Sequence, residues 1–245
     1  MQLPKVLAFD IFGTVVDWHS SIAREAAPFL AAHLPQVSPG DFALQWRSLY
    51  DPAMQPCRSG QRPFVPLDTL HLEMLIELLK TLGLETEGCS PEELTHLSHA
   101  WRRLTPWSDA PAGLAALRQI APVVTLSNAN VALMVAMNRF NGLQWDAIMG
   151  AELAQTYKPE PAAYLRTCES LGLTPQQVCL VACHHSDLAA ARACGFMTAY
   201  IDRPDEYGGL PAPDLAWEQR WEWHAESLLD LAQKMYARSV STGTS

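Results

Sequence analysis

The apolar run Val6-Leu7-Ala8-Phe9 stops at Asp10, with Gly13 just beyond, which predicts a buried strand running into a turn. A helical stretch follows, in which Leu67, Leu70, Met74, Leu78 and Leu82 recur at spacings of three and four, with Gly83 placed as a C-cap. Ser90-Pro91-Glu92-Glu93 reads as a capping box with proline at the first helical position, and Leu94, Leu97, Trp101 and Leu104 form one apolar face behind it.

From about Pro106 the pattern changes. Helices are predicted over Pro111–Ile120, Ala162–Leu171 (with Pro161 near its start) and Leu188–Ala193, the last stopped by Gly195. Strands are predicted at Val123–Leu126, Val178–Val181 and Met197–Ile201, with a weaker one at Ala147–Met149. Short apolar strands separated by helices imply a parallel sheet covered on both faces. The expected fold is therefore α/β, a Rossmann-like core with an inserted helical cap domain. The core takes residues 1–15 and 101–236, the cap 16–100, and the polar tail Ala237–Ser245 is expected to be disordered.

Composition narrows the class. The 245 residues are 49% hydrophobic, enough to bury one core with a smaller inserted unit. The net charge of −9, with no local Lys/Arg cluster, gives no attraction to nucleic acid or anionic lipid. No apolar run has the length of a signal peptide or a membrane span. Cys57, Cys89, Cys168, Cys179, Cys183 and Cys194 form no CxxC pair and read as reduced core thiols, so a cytoplasmic location is expected.

In open parallel sheets, ligands bind at the carboxyl ends of the strands. The polar residues there are Asp10, Ser127-Asn128, Lys158 and the group His184–Asp187. Each alone is ordinary turn chemistry; the full set on one edge points to a site. A carboxylate nucleophile, Asp10, needs a cation to orient its electrophile, and Lys158 supplies one. Ser127 and Asn128 can donate to a substrate carboxylate, and Asp187 is available as the base for a following hydrolysis.

Asp10-Ile11-Phe12-Gly13-Thr14 resembles the first motif of the haloacid dehalogenase superfamily, Leu126-Ser127-Asn128 the second, Tyr157-Lys158-Pro159 the third and Val181–Asp187 the fourth. The superfamily's phosphatases carry a general acid two positions after the nucleophile, where Phe12 stands here, and an acidic pair in the fourth motif to hold magnesium, where His184-His185-Ser186-Asp187 offers one carboxylate. Asp17, His19-Ser20 and Trp46-Arg47 are instead similar to the L-2-haloacid dehalogenase branch. That resemblance implies displacement of halide from C2 by Asp10 with inversion, support of Asp10 by Thr14, and receipt of the halide by Arg47. It also implies that Ile11 and Phe12 backbone groups, with Ser127 and Asn128, hold the substrate carboxylate, that Lys158 sits beside Asp10 with Tyr164 near the third motif, and that Asp187 positions the water. It implies a small 2-haloacid as substrate and no cofactor or metal, and is compatible with a homodimer.

The fourth motif departs from the family, with Ala182 and His184 where Ser and Asn are usual. His184 can still donate a hydrogen bond or accept a proton, with a titration expected near neutral pH. Cys179, Cys183, His184 and His185 would suit zinc only if Cys179 left its strand. His71, on the apolar stripe, reads as a structural histidine, and Arg47 alone reads equally well as a cation stacked on an aromatic ring. Trp217, Trp221 and Trp223 line an interface or pack the last helix. No GxSxG, Walker A or GxGxxG pattern is present. The competing readings are a magnesium-dependent phosphatase-like hydrolase of the same superfamily and a non-enzymatic binding protein that kept the fold.

Overall fold

The computed structural model describes residues 3–214 and 219–242. Its centre is a five-stranded parallel sheet of β1 (Val6–Phe9), β4 (Val123–Thr125), β5 (Val178–Ala182), β6 (Met197–Ile201) and β7 (Trp223–Ala225) in the order β4-β1-β5-β6-β7. A separate two-stranded ribbon joins β2 (Val16–Asp17) to β3 (Thr105–Pro106) antiparallel. Alternate residues of each strand feed opposite faces: Leu7, Phe9, Cys179 and Val181 pack in one core cluster, Val6, Ala8, Val178 and Leu180 in the other.

The register positions the site. Phe9 lies beside Thr125 on one side and Val181 on the other. The residues that follow each strand therefore leave the sheet level with one another, and Asp10, Ser127 and Cys183-His184 share one edge.

Between β2 and β3 lie α1 (Trp18–His33), α2 (Pro39–Ser48), α3 (Tyr50–Arg58), α4 (Leu67–Thr81) and α5 (Pro91–Ser98). Asp17 caps α1 by accepting from Ser20 N–H at 2.9 Å. The capping box predicted at Ser90–Glu93 is formed, and Gly83 follows α4 at φ +83°. The helix predicted through Leu104 ends at Ser98. A 3₁₀ turn, His99–Arg102, then brings Trp101 to a fully buried position, stacked with Trp18 at 6.3 Å and edge-on to Trp46 at 5.7 Å.

In the second half, α6 (Ala110–Leu117), α7 (Val131–Asn141), α8 (Pro161–Leu171) and α9 (His185–Ala193) alternate with the strands, and α10 (Leu228–Thr242) closes the chain. The strand predicted at Ala147–Met149 is reduced to one bridge, Val124 to Ala147. The Thr125 hydroxyl takes over the pairing there, accepting from Met149 N–H at 2.7 Å and donating to its carbonyl at 2.9 Å. The disorder expected of Ala237–Ser245 is corrected as far as Thr242, which is still helical. The stripe Leu228, Leu231, Ala232 and Met235 anchors α10 in the core, and the helix propagates beyond it. Residues 243–245 lie outside the described residues, as does Trp217. Among the described residues no helix is long and apolar enough to cross a membrane.

Helices α6 and α10 meet at Gly113, where an added Cβ would stand 2.4 Å from the Cβ of Leu228 and 2.9 Å from its backbone. Gly113→Ala should therefore destabilise the fold by about 1–3 kcal/mol through overpacking, outweighing the ~1 kcal/mol gained in helix propensity. Urea unfolding would show this as a lower midpoint; an unchanged or higher midpoint would mean that the two helices separate freely.

Candidate active site

Asp10 follows β1 directly, and its backbone N–H donates to Val181 O, which fixes where the side chain leaves the sheet. Its Oδ2 accepts the Thr14 hydroxyl at 2.8 Å, and its Oδ1 lies 3.3 Å from Lys158 Nζ. Thr14 is itself held from β5, accepting Cys183 N–H at 3.0 Å. Lys158 Nζ also donates to Asp187 Oδ2 at 2.6 Å, and the Tyr164 hydroxyl donates to Asp187 Oδ1 at 2.7 Å. One buried ammonium thus joins two buried carboxylates.

The environments of the two acids differ. Burial raises the pKa of Asp10, but Lys158 and His184 outweigh it and hold the group below the ordinary carboxylate range. At Asp187 burial dominates, and with the charge of Asp10 it leaves the group raised although Lys158 opposes. Lys158 is raised, its burial overcome by Asp187 and Asp10. A carboxylate kept ionised beside one shifted toward neutrality is the arrangement that separates a nucleophile from a proton acceptor.

These groups face a cavity of about 330 Å³, lined also by Phe12, Arg47, Tyr50, Asn128, His184 and Tyr207. The Arg47 guanidinium lies over the Tyr50 ring at 4.1 Å and the Trp18 ring at 5.7 Å. Its buried Nε has no hydrogen-bond partner, and no carboxylate among the described residues pairs with it. A permanent cation held by aromatic faces and lacking an anion is suited to receiving one. Asn128 Oδ1 accepts the backbone N–H of Lys158 at 2.8 Å, tying the second motif to the third. Ser127 lies outside this lining, and its hydroxyl accepts from Ala129 N–H at 3.1 Å. The Ile11 side chain is buried in the core, and Ala182 ends β5.

His184 and an unanticipated residue, Glu206, complete the cluster. His184 Nδ1 stands 3.4 Å from Asp10 Oδ2, and Nε2 lies 2.9 Å from Glu206 Oε1. Glu206 is 2% exposed and accepts Trp18 Nε1–H at 2.9 Å. It comes from a loop after β6 whose sequence, Asp202-Arg203-Pro204-Asp205-Glu206, looks solvated, so no local signal marked it. Gly13 makes room for it: at φ +85° a Cβ there would stand 2.1 Å from Glu206 Oε1.

The neutral titration expected of His184 is corrected. Burial opposes its charge, but Cys183, Glu206 and Asp10 outweigh burial and raise it well above the usual imidazole value. Burial also pushes the Cys183 thiol up to about 12, so the thiol is neutral near pH 7 and the two carboxylates are the anions that count.

Cys183, His184 and Glu206 bring three donor atoms within 4.8 Å of one another, close enough to share a cation. The three groups also hydrogen-bond among themselves, and Trp18 Nε1–H donates to the same Glu206 oxygen as His184 Nε2. The other members of the sequence-level zinc set lie elsewhere. Cys179 is buried within β5, and His185 stacks on Tyr200 at 4.3 Å and Trp221 at 5.9 Å. His71 is buried against Trp101 at 4.5 Å, and burial lowers its pKa to about 3, which keeps it neutral.

The model of the haloacid dehalogenase-like hydrolase family matches residues 4–195. The structure of a defluorinating L-2-haloacid dehalogenase is similar with a TM-score of 0.92 and 42% identity, covering 95% of each chain. The (S)-2-haloacid dehalogenase 1 of Pseudomonas sp. (strain CBS-3) is 31% identical over 84% of this chain and 89% of its own. The (S)-2-haloacid dehalogenase 4A of Burkholderia cepacia is 29% identical over 84% and 88%.

A histidine whose pKa rises on folding stabilises the folded state fully below its unfolded value, near 6.5, and loses that contribution as pH rises through the folded value. The stability advantage of the wild type over His184→Asn should therefore shrink as pH rises above about 6.5. Urea unfolding of both proteins across that range tests it; a constant difference would mean that His184 is neutral throughout.

Proposed function

The chain belongs to the haloacid dehalogenase-like hydrolases and, within them, to the L-2-haloacid dehalogenases, and we propose that it hydrolyses short-chain L-2-haloacids to 2-hydroxy acids through an ester on Asp10, with inversion at C2. The observation that carries this reading is the lysine-bridged carboxylate pair, with Asp10 held ionised and Asp187 shifted upward. The reading includes a cytoplasmic enzyme, in keeping with six free cysteines, and a helical cap of residues 16–100 over a core of 1–15 and 101–236.

The two oxygens of Asp10 are not equivalent. Oδ2 faces both Thr14, at 2.8 Å, and His184, at 3.4 Å, while Oδ1 has one polar side-chain contact among the described residues, to Lys158 at 3.3 Å. Oδ1 keeps lone pairs free and is the attacking atom in this reading. It forms a bond to C2 as the carbon–halogen bond breaks, and the halide leaves with the bonding pair toward Arg47. Asn128, Lys158 and backbone groups after Asp10 hold the substrate carboxylate in the cavity. Water then attacks Cγ of the ester and gives its proton to Asp187. As the Cγ–Oδ1 bond breaks, Oδ1 leaves with the bonding pair and takes that proton back from Asp187, releasing the hydroxy acid, and the regenerated Asp10, now carrying the water oxygen, gives up the second water proton to solvent. No step calls for a metal: Phe12 stands where a phosphatase would place its general acid, and the second acid of a magnesium pair is missing.

The test is halide release from chloro-, bromo- and fluoroacetate and both 2-chloropropionate enantiomers, in the presence of a chelator. Release is expected with the L-2-chloropropionate enantiomer and not with its mirror image. Asp10→Asn should abolish it. Asp187→Asn should stop at a stable adduct of substrate minus halide, visible by intact mass. Activity that needs magnesium would favour the phosphatase-like reading, and an Asp187→Asn variant that turns over normally would remove Asp187 as the base.

Arg47→Ala should lower kcat/KM for chloride and bromide displacement by about 10²-fold, the scale of removing one preorganised electrostatic group. Stability should change by less than about 1 kcal/mol, since the guanidinium has no ion-pair partner to lose. Equal, small effects on rate and stability would show that the guanidinium only covers the aromatic rings.

A further inference from the structure

We propose that Glu206 is a positioning residue for the hydrolytic half-reaction: by accepting from Nε2 it aims the Nδ1–H of His184 at Asp10 Oδ2, the atom that becomes an oxyanion when water attacks the ester. This rests on the ester mechanism proposed above. Glu206 does not line the cavity and acts only through His184.

The geometry leaves the histidine ring one consistent protonation state. Nε2 lies 2.9 Å from one carboxylate oxygen and Nδ1 3.4 Å from another. A neutral ring would turn a lone pair on one of the two anions, so both nitrogens carry hydrogen. The Thr14 hydroxyl converges on the same Oδ2 at 2.8 Å. In the free enzyme these two donors face a carboxylate oxygen. In the ester that oxygen is the carbonyl, and during hydrolysis it takes the electron pair of the C=O bond as the water oxygen bonds to Cγ. Thr14 and His184 are then the two donors of an oxyanion hole, in place before the charge develops. When Cγ–Oδ1 breaks, the pair returns and the carbonyl is restored, so the ring donates a hydrogen bond throughout and need not transfer its proton.

Glu206 is built for this role. Its Oε1 also accepts Trp18 Nε1–H, and the Cys183 thiol donates to Oε2 at 3.5 Å, so the carboxylate has little freedom to turn away. The absence of a side chain at Gly13 in the first motif is what admits it beside the nucleophile. The groups facing His184 are Asp10 from the end of β1, Cys183 before it, Glu206 and Tyr207 from the loop after β6, Lys158 across Asp10, and Arg47 from α2. Burial works against the charge on Glu206, and His184 and Trp18 hold it ionised.

Glu206→Gln keeps the size of the side chain and removes its charge. Ester formation, read as the burst of halide, should stay within about threefold, while ester hydrolysis slows by about tenfold or more. Intact-mass analysis should then show the adduct accumulating, and the pH profile of hydrolysis should lose its plateau at lower pH than in the wild type. In ¹⁵N-histidine spectra of the wild-type enzyme, assigned by difference from His184→Asn, both ring nitrogens of His184 should be protonated at about pH 8, and Glu206→Gln should lower that titration. An ester that does not accumulate in Glu206→Gln, equal slowing of both half-reactions, or a neutral His184 in the wild type at that pH would overturn the proposal. The wild-type spectrum decides it alone if the variant does not fold. A wild type that forms no ester with any haloacid overturns the dehalogenase reading itself and this proposal with it; one that forms and clears the ester, with Glu206→Gln its equal, overturns only the role of Glu206.

Discussion

The site depends on one buried ammonium. Lys158 lies between Asp10 and Asp187, and without it two carboxylates would face each other away from water, Asp10 with His184 as its remaining cation and Asp187 with no ion-pair partner among the described residues. Leaving a buried charge unpaired costs several kcal/mol, so the carboxylates would be forced to share a proton or move apart. The position of Lys158 is fixed from several directions. Its backbone N–H is held by Asn128, and its carbonyl accepts from Arg58 Nη1 at 3.2 Å. The preceding Tyr157 donates to Val65 O and packs on Phe64 at 5.3 Å. The loop that carries the cation is therefore pinned by the second motif on the core side and by α3 and the segment before α4 on the helical side.

That pinning couples the helical block to the chemistry. Arg47, Tyr50 and Met54 project into the cavity from α2 and α3, which also supply the arginine that holds the Lys158 carbonyl. A second tether runs through Asp68, which pairs with Arg102 at 2.7 Å and accepts from Asn130 Nδ2 at 2.8 Å, while its own N–H donates to Asn130 Oδ1. Asn130 follows β4 directly after the Ser127–Ala129 turn. The residues that close the cavity from above and those that line its floor thus share hydrogen bonds, so their relative placement is set by directional contacts as well as by apolar packing.

What was legible in the sequence follows from how local each determinant is. The strands β1, β4, β5 and β6 are largely apolar runs because both faces are covered, and β1, β4 and β5 run into the segments that carry Asp10, Asn128 and His184–Asp187. Asp10, Asn128, Lys158 and Asp187 were therefore readable as one set from the sequence alone. Helices α1 and α3 carry Pro28 and Pro56 in their interiors, which obscured the periodicity that would have announced them. Strand β7 is too short to signal itself, and Ala147–Met149 has strand composition but lost its ladder to the Thr125 hydroxyl. Glu206 was missed for a different reason. Its burial comes from contacts to Trp18, Cys183 and His184, all distant in sequence, and an acidic residue in a Pro/Gly-rich loop otherwise reads as solvated. The indirect signal was the departure at His184: a histidine placed beside a nucleophilic carboxylate needs a second anion if it is to stay charged without silencing the nucleophile.

Charge balance shows why that second anion matters. Arg47, Lys158 and His184 stand against Asp10, Asp187 and Glu206 around one small cavity. In the proposed reaction, ester formation would convert the Asp10 carboxylate into a neutral group and deliver a halide ion near Arg47, so the cations that hold Asp10 ionised would have to attract the departing charge without binding it irreversibly. Glu206 offsets His184 locally, which in that reaction would leave Lys158 and Arg47 as the cations for the substrate carboxylate and the halide. An uncompensated imidazolium would add a third positive group beside the nucleophile, lowering its basicity and competing with Arg47 for the halide. With the pair in place, His184 directs a hydrogen bond rather than a net charge. The histidine of the fourth motif thus stands beside Asp10 with its charge offset by Glu206, a residue of a loop outside every motif.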